Sequence, residues 1–383
     1  MIHVLHLLTS LGRGGAERAL ADIVAASDRS RFRHTLCYLH GPHDLAGDFH
    51  AAGCETICLD AGGGRAWIGG AKKLRPILAA LEPDIVQSAT FEANIAARLA
   101  AGRSGPPLAT WIVSMEYDPE SVRAAGWPRG RNLIRRGLDG VTGRFTRSHY
   151  VACSASVMRS ATERLHIPQR RIETIYNLVN LGTLRTERGE AEALRGTLGL
   201  PPGAFVYLTI GRVDAAKDQR TLLRAFARVA ADQPDAHLLL LGKGGLADSL
   251  AAEARALGVG DRVRFVPSAP RVAPFFALAD VFVFPSLLEG LPVALLEAMC
   301  AGLPSIASDI EPHLEVVRQD ETGLVFRRGS AEVLAAAMSR LYREEPLRAR
   351  LGAAAREEAE ALVSADRVIL QWQATWERLA RRS

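Results

Sequence analysis

The residues best suited to chemistry lie in a loop and helix start late in the chain. An apolar run ends at Pro285, Glu289 follows in a short loop, and Pro292 precedes a helical pattern that contains Glu297. A proline there is typical of a first helical turn. The unpaired N–H groups and the dipole of a helix start hold anionic oxygens, while the two carboxylates accept hydrogen bonds from hydroxyls. The segment therefore suits a sugar nucleotide.

A second charged set follows an earlier apolar run. Gly211 lets the chain turn closely, and Arg212 and Lys217 are cations that can neutralise a diphosphate, the first as a planar fork and the second as a point charge. An isolated basic residue at a strand end is as often a solvated side chain, and an isolated Glu at a helix start is often only a dipole partner. The order of the two sets along the chain is more specific than either alone.

Both sets lie in an alternation of strands and helices that predicts parallel sheets covered by helices. The predicted strands are residues 4–8, 35–39, 56–59, 84–86, 108–113, 150–152 and 173–176, then, after a polar connector, 205–210, 237–241, 263–266, 281–284, 305–307 and 324–326. We therefore expect an α/β chain with two Rossmann-like domains facing a cleft. Residues 1–180 form the first, residues 181–362 the second, and a C-terminal helix within 363–383, with Trp372 and Trp376 on one face, returns to the first.

Composition narrows the class of protein. A chain of 383 residues with 48% hydrophobic and 23% charged residues is globular and long enough for two cores, and it has no apolar run long enough to span a bilayer. The N-terminus does not resemble a signal peptide and the five cysteines are scattered, so we expect a cytoplasmic protein with reduced thiols. A net charge of +5 indicates an anionic partner without choosing among nucleic acid, membrane and sugar phosphate.

Residues 211–217 and 285–304 together resemble the glycosyltransferase family 4 group. Its members have a Gly-Arg followed five residues later by Lys and then, after about seventy residues, a Pro-Ser, a Glu-Gly-Leu-Pro and a second Glu. Further similarity lies in residues 14–18, 177–180, 241–244, 315 and 322–324, so the resemblance spans nearly the whole chain. It implies the two-domain fold called GT-B and a glycosyltransferase of cell-surface polysaccharide or glycolipid synthesis.

The resemblance also implies roles for the charged residues. Arg212 and Lys217 would contact the donor diphosphate, Glu289 the transferred sugar from an open cleft where it packs little, and Glu297 the ribose hydroxyls. Arg212, Lys217 and Glu289 form the expected catalytic set. The expected donor site comprises Gly14, Gly15, Gly211, Arg212, Lys217, Glu289, Gly290, Leu291 and Glu297.

The expected mechanism uses charge alone. Cations and dipoles stabilise the diphosphate as it leaves, and the resemblance implies retention of the anomeric configuration without a protein nucleophile. No Asp-x-Asp motif is present, so we expect no metal and no cofactor, with a UDP- or GDP-sugar as co-substrate.

The acceptor side departs from the family pattern, because the stretch after the fifth strand lacks the usual His. Ser114 or Glu116 substitutes for it, or the acceptor side is organised differently. His3 and His6 on the first strand are interpreted as core or surface residues.

Residues 120–147 form a basic amphipathic segment with interleaved apolar side chains. Such a segment predicts either peripheral contact with anionic lipid on the inner face of the cell membrane or an ordinary solvated helix. The partners expected are thus a nucleotide sugar, a glycan or lipid-linked acceptor and a membrane surface, without nucleic acid.

Three other functions remain open at this stage. A nucleotide-sugar epimerase would not be expected to carry the two-acid loop together with the Gly-Arg and Lys set. A dehydrogenase is disfavoured because Glu17 stands where a dinucleotide fingerprint has its third glycine. A binding protein without catalysis fits the residues as well.

Overall fold

The computed structural model describes residues 1–12, 14–62, 65–124, 126–269 and 271–381, apart from the side chains of Arg129 and Arg188. Its chain divides into two compact units. The first consists of Met1–Val179 together with Ala365–Ser383, and the second is Asn180–Ser364.

The first unit is a parallel sheet of seven strands in the order β3-β2-β1-β4-β5-β6-β7. Its strands are β1 Ile2–Leu8, β2 Phe32–Tyr38, β3 Glu55–Cys58, β4 Ile85–Ala89, β5 Leu108–Ile112, β6 Ser148–Ala152 and β7 Ile172–Thr174. Its helices up to the unit boundary are α1 Gly15–Ala26, α2 Ala46–Ala51, α3 Ala66–Leu81, α4 Phe91–Ala101, α5 Pro119–Ala124, α6 Arg129–Phe145 and α7 Ala155–Leu165. Because β1 pairs with both β2 and β4, the order of strand addition reverses at β1.

The second unit repeats this plan with six parallel strands in the order β10-β9-β8-β11-β12-β13. Its strands are β8 Phe205–Ile210, β9 Ala236–Leu241, β10 Val263–Val266, β11 Val281–Phe284, β12 Ser305–Ser308 and β13 Leu324–Phe326. Its helices are α8 Arg188–Thr197, α9 Gln219–Val229, α10 Ala247–Ala256, α11 Ala273–Leu278, α12 Val293–Cys300, α13 Glu311–Leu314, α14 Ala331–Arg343 and α15 Glu345–Val363. Here β8 pairs with both β9 and β11, so the reversal point lies at β8.

The last helix, α16 Ala365–Ala380, packs on the sheet of the first unit, as predicted. Trp372 and Trp376 are fully buried there among the side chains of β1, β4 and β5. The Trp372 ring lies edge-on to Trp111 at 5.5 Å between centroids, and Trp376 Nε1 donates to Gln87 Oε1 at 2.8 Å. Two large aromatic rings on one helix face thus complete the core of a sheet that is formed nearly two hundred residues earlier.

The histidines of β1 also belong to this core. His6 is fully buried, its ring stacks on His34 of β2, and His6 Nε2 lies 2.9 Å from His34 Nδ1. His3 is buried as well, next to Thr35. Both residues are therefore core side chains, as interpreted from the sequence.

Within the described part of the chain, none of the helices combines the length and apolarity needed to cross a membrane.

Candidate functional site

The two charged sets come together at one edge of the second sheet. β8 and β11 are parallel neighbours, with Tyr207 opposite Val281 and Leu208 opposite Phe282. The loops that follow these two strands therefore leave the same carboxyl edge at the reversal point, where ligands bind in open parallel sheets. A bond from the Leu287 N–H to the Ala216 carbonyl, 2.7 Å long, ties the two loops together.

Lys217 and Glu289 form an ion pair at this edge. Lys217 Nζ donates to Glu289 Oε1 at 2.5 Å and lies 5.3 Å from the centroid of the Phe284 ring. The two side chains are only 17% and 9% exposed. The expectation of an unpacked Glu289 in an open cleft is therefore wrong, because the linked loops press its carboxylate against the lysine.

The backbone carbonyl of Arg212 is held by a hydrogen bond, whereas its side chain is exposed to solvent. Gln219 Nε2 donates to the Arg212 carbonyl at 2.7 Å, whereas the guanidinium is 79% exposed and lies 3.3 Å from Asp214 Oδ2. Asp214 Oδ1 also accepts from the N–H groups of Ala216 and Lys217 at 3.0 and 3.2 Å. Asp214 and Gln219 were not singled out from the sequence, although Asp is a common turn residue because its carboxylate accepts bonds from backbone N–H groups a few residues on.

The close backbone approach at this edge leaves no room for a Cβ at Gly242 and Gly244. A Cβ on Gly242, whose φ is 153°, would lie 1.9 Å from the Gly211 carbonyl oxygen, and one on Gly244 would lie 2.0 Å from that of Val213. A Cβ on Gly211 would meet only ordinary contacts with Lys217. Bonds from Gly211 N to Leu241 O and from Val213 N to Lys243 O hold the two loops at this distance. Gly211 thus takes part in the close approach through its backbone, and the positions at which a Cβ would clash are Gly242 and Gly244 in the neighbouring loop.

The remaining donor residues of this unit lie where α12 begins. Leu291 is buried and its carbonyl accepts from Val293 N at 2.9 Å, while the Pro292 carbonyl accepts the first helical bond from Leu296 N at 3.0 Å. Gly290 precedes this turn, and Glu297 is a half-buried side chain one turn into α12. The helix start predicted from Pro292 is thus present beside the Lys217 and Glu289 pair.

A buried histidine lies behind the ion pair and was missed by the sequence reasoning. His313 is fully buried, its ring centroid lies 5.2 Å from that of Phe284, and its Nδ1 contacts Ser308 Oγ at 3.0 Å. Ser308 Oγ in turn donates to the Ser286 carbonyl at 2.5 Å. Burial, with a smaller contribution from the charge of Lys217, lowers the pKa of His313 to about 3. His313 is therefore neutral and supports the loop that carries Glu289.

In the first unit, the glycine-rich segment forms the start of α1. Gly14 is the N-cap and Gly15 the first helical residue, while Arg13 between Gly12 and Gly14 lies outside the described residues. A Cβ on Gly14 would lie 2.2 Å from Glu17 Oε2, so the Glu17 side chain folds back over the helix start. Burial raises the pKa of Glu17, although a bond from its own backbone N–H opposes that rise. The N-terminus of α1 is thus partly capped by an acid of its own first turn.

The proposed acceptor-side residues lie in the loop after β5. Glu116 Oε2 accepts from Arg135 Nη2 of α6 at 2.8 Å. Burial raises the pKa of Glu116, while the charge of Arg135 and its hydrogen bond lower it. Ser114 also hydrogen-bonds to this carboxylate. The structure therefore brings Ser114 and Glu116 together and places a cation beside them.

The next residue of the same loop is anchored to α6. The Tyr117 hydroxyl donates to Asp139 Oδ2 at 2.8 Å, and Asp139 forms an ion pair with the fully buried Arg98 of α4. These residues line a cavity together with Ser114, Glu116, Thr90 and Thr110. The loop after β5 is thus held by α6, and Arg98 of α4 in turn holds Asp139 in place.

The basic segment 120–147 has two different faces along α6. Ile134, Val141 and Phe145 are 66%, 54% and 61% exposed and, with the partly exposed Leu138, lie on one stripe of the helix. Arg131 and Arg144 are exposed beside it. Arg135 points the other way, with its guanidinium 3.7 Å from the Phe91 ring centroid and 4.4 Å from that of Trp127. The arginines of α6 therefore do not form one outward basic face.

Across the described ranges, no cluster of three or more His, Cys, Asp or Glu side chains is suited to hold a metal ion.

Two family models match successive parts of the chain. The model for glycosyltransferase family 4 matches residues 13–183, and the model for glycosyl transferases group 1 matches residues 190–358. Each match falls within one of the two structural units, apart from the first four residues after Val179 that the first model also includes.

Curated relatives are similar over part of their length. A D-inositol 3-phosphate glycosyltransferase of Thermomonospora curvata is 31% identical over 60% of this chain and 55% of its own. A lipopolysaccharide core biosynthesis glycosyltransferase, LpsE, of Rhizobium meliloti is 34% identical over 48% of this chain and 51% of its own. Matches to the first relatives span 42% to 62% of their own length.

Solved structures are similar over the full chain. HepE of Anabaena, determined in complex with UDP-glucose, has a TM-score of 0.85 and 20% identity, and the match covers 99% of this chain and 100% of that one. A likeness of this kind defines the fold, which is the GT-B type with two parallel-sheet α/β units.

Proposed function

The chain belongs to glycosyltransferase family 4, and from that membership we propose that it moves a sugar from a nucleotide diphosphate donor to a glycan or lipid-linked acceptor. We further propose that the reaction retains the anomeric configuration and needs no metal ion. The observation that carries this proposal is the Lys217 and Glu289 ion pair beside Arg212 at the strand-order reversal of the second sheet.

The charges at this edge suit the bond that must break. As the bond from sugar C1 to the diphosphate oxygen opens, the sugar becomes oxocarbenium-like and the diphosphate gains negative charge. Lys217, fixed between Glu289 and the Phe284 ring, supplies a cation that is already placed, and the exposed Arg212 supplies a second. A preorganised cation needs no rearrangement while the charge develops, which is why it accelerates the step.

Glu289 acts on the sugar rather than as a nucleophile. Its Oε1 is occupied by Lys217, so it serves as an oriented acceptor for donor-sugar hydroxyls. The acceptor hydroxyl forms the new bond to C1 on the face that the diphosphate leaves, and its proton passes to the departing phosphate oxygen. By the family pattern, Gly290 and Leu291 in the loop before α12 would offer backbone N–H groups to the phosphate or the sugar, and Glu297 on α12 would contact the ribose.

The donor proposed is a UDP-sugar, with a GDP-sugar as the alternative. The complex of the structurally similar HepE with UDP-glucose supports the uridine nucleotide. By the family pattern, Gly14 and Gly15 are assigned to the donor, and Ser114 or Glu116 is proposed for the acceptor. The similarity to a lipopolysaccharide core enzyme supports a role in cell-surface glycan synthesis in the cytoplasm.

The proposal is tested by incubating the protein with UDP- and GDP-sugars and a panel of glycan and lipid-linked acceptors, with and without excess chelator. The expected products are a nucleoside diphosphate and an α-glycoside from an α-linked donor, at the same rate in both conditions. An isomerised nucleotide sugar would indicate an epimerase, binding without turnover would indicate a non-catalytic protein, and activity restored only by magnesium would overturn the metal-free mechanism.

We also propose that α6 contacts an anionic membrane surface. Its outward stripe of Ile134, Leu138, Val141 and Phe145 is apolar, and Arg131 and Arg144 flank it, which is the composition of a helix lying in a lipid interface. Charge complementarity favours anionic phospholipid over a protein partner as the occupant.

Replacing Arg131 and Arg144 with Ser tests this contact. Each should lower the affinity for phosphatidylglycerol vesicles by about 1 kcal/mol, and the parent's binding should weaken as salt rises. Lys72 and Arg75, exposed on α3, provide the matched double Ser control. If the Arg131 and Arg144 variant pellets with vesicles as well as the parent, the stripe meets another partner and the membrane proposal fails.

A further inference from the structure

A second cavity of the first unit is lined by residues with no role in the proposed reaction, among them Arg147, the last residue of the basic segment 120–147. Its volume is about 270 Å³, and its walls are Pro107, Thr146, Arg147, Ser148, His149, Arg170, Arg171 and Leu379. These residues border the amino ends of β5, β6 and β7. In a parallel sheet that edge is opposite the carboxyl edge, so the cavity is remote from the loop of Ser114 and Glu116.

The cavity is strongly basic. Arg147, Arg170 and Arg171 contribute three guanidinium groups to its wall. The adjacent carboxylate of Glu173 already accepts from His149 Nε2 at 2.8 Å and from Arg378 Nη2 at 2.5 Å. Burial alone would raise the pKa of Glu173, but these bonds and that from Thr375 lower it overall. Glu173 is therefore an ionised partner of α16 and β6, and the described residues that line the cavity include three arginines and no acid.

Arg171 makes the end of α6 compatible with an anion. Its Nε and Nη2 donate to the Ser148 carbonyl at 2.9 and 2.6 Å, and Nη2 also donates to the carbonyls of Gly143 and Thr146 at 3.0 and 3.1 Å. The last carbonyls of a helix carry partial negative charge that would repel an anion. The guanidinium covers them, while the neighbouring Arg170 is exposed.

The size of the cavity limits its occupant. One water needs about 10–15 Å³ of such space, whereas pockets for drug-sized ligands usually measure about 300–1,000 Å³. A volume of about 270 Å³ therefore suits a group larger than a water cluster and smaller than a nucleotide sugar. Hydroxyl groups of Thr146 and Ser148, 2.7 Å apart, add neutral hydrogen-bonding groups to the wall.

We propose that this cavity binds a phosphate ester of a small alcohol, with Arg170 and Arg147 contacting the phosphate and Arg171 shaping the wall. Arginine forks match phosphate oxygens in geometry and charge. The ester could be a free metabolite or a phospholipid headgroup. The second source is suggested by Phe145, which is 61% exposed and directly precedes Thr146 in the chain.

The test is the affinity of the parent, Arg170→Glu and Lys72→Glu for glycerol 3-phosphate, inorganic phosphate and phosphatidylglycerol vesicles, measured at one ionic strength. Lys72 is an exposed cation of α3, so its variant changes the net charge equally without touching the cavity. Arg170→Glu should lose about tenfold or more in affinity for glycerol 3-phosphate, the scale of one lost charged hydrogen bond. Lys72→Glu should match the parent, and unchanged melting temperatures confirm that both variants fold.

The arms of the experiment separate the two sources. Loss of glycerol 3-phosphate binding with unchanged vesicle binding supports a free phosphate ester, and loss of both supports a lipid headgroup. The proposal is overturned if the parent binds none of the three probes. It is also overturned if Arg170→Glu and Lys72→Glu weaken binding equally, because diffuse positive charge would then explain the attraction.

Discussion

The two units share one order of strands but use the carboxyl edge of their sheets differently. In the second unit, the backbone bond between Leu287 and Ala216 joins two loops, and the ion pair of Lys217 and Glu289 holds both charges in fixed positions. In the first unit, the helix start at Gly14 is covered by Glu17, and the loop after β5 is held by Arg135 and Asp139 from α6. The carboxyl edge of the second sheet thus carries a prearranged pair of charges. The carboxyl edge of the first sheet carries a loop that is bonded to the surface helix α6.

The two arrangements predict where each unit is sensitive to substitution. Lys217 and Glu289 of the second unit are largely buried, so substitutions of this pair should act on both catalysis and local stability. The carboxylate of Glu116 in the first unit is bonded to Arg135 of α6, a helix whose opposite face is exposed. The protonation state of Glu116 should therefore respond to pH and to substitutions in α6.

The largest effect is expected at the buried pair. Glu289→Gln and Lys217→Met should each lower kcat by about a hundredfold to a thousandfold, because each removes a preorganised group, and each should also lower the melting temperature by leaving a largely buried partner unpaired. The double variant should be less impaired than the product of the two losses. Glu253→Gln, which breaks the ion pairs to Arg220 and Arg224 in the same unit, is the control. Normal turnover of Glu289→Gln would contradict the assignment.

Arg212→Gln separates catalysis from stability within the same edge. Because its guanidinium is 79% exposed, the variant should lose about a hundredfold in kcat with little change in melting temperature. Arg228→Gln, an exposed arginine of α9, should change neither. Retained activity in Arg212→Gln would mean that Lys217 alone neutralises the diphosphate.

A moderate effect of pH is expected in the first unit. Burial raises the pKa of Glu116 and Arg135 lowers it, so Arg135→Gln should raise it further. If the ionised carboxylate serves the acceptor, the acid limb of the kcat/KM profile moves to higher pH, with a several-fold loss on that limb and little change at alkaline pH. Arg131→Gln, on the outward part of the same helix, should leave the profile in place. Coincident profiles for Arg135→Gln and the parent would remove Glu116 from the acceptor step.

The smallest effect concerns stability in acid. Burial lowers the pKa of His34 from 6.5 to about 4, so the unfolded chain takes up the proton first, and stability present above pH 6.5 is lost as the pH falls toward 4. His34→Gln should flatten the decline of the melting temperature in this window, and His313→Gln should do the same toward pH 3. His50→Gln, at an exposed site, should not. A parallel decline in all three variants would assign the acid sensitivity to other groups.

Local pattern in the sequence was enough to predict much of the fold. All thirteen strands were expected, and four strands of the second unit, including β8 and β11, begin and end at the predicted residues. The spacing of apolar residues indicates which segments are buried, and Gly and Pro indicate where those segments end. The positions of Arg212, Lys217 and Glu289 after their strands could therefore be predicted. The packing of α16 on the first unit could be predicted because its two tryptophans lie on one face, which an isolated helix cannot bury.

Which of these residues meet depends on strand pairing and helix packing and could not be read from the sequence. Lys217 and Glu289 are 72 positions apart, and their contact depends on β8 pairing with β11 and on the Leu287 to Ala216 bond. The same holds for Arg135, whose inward direction follows from the packing of α6 and not from its spacing among other arginines. Periodicity specifies that a side chain is buried, but its partner is set by strand order and helix packing, which bring together segments that the sequence keeps apart.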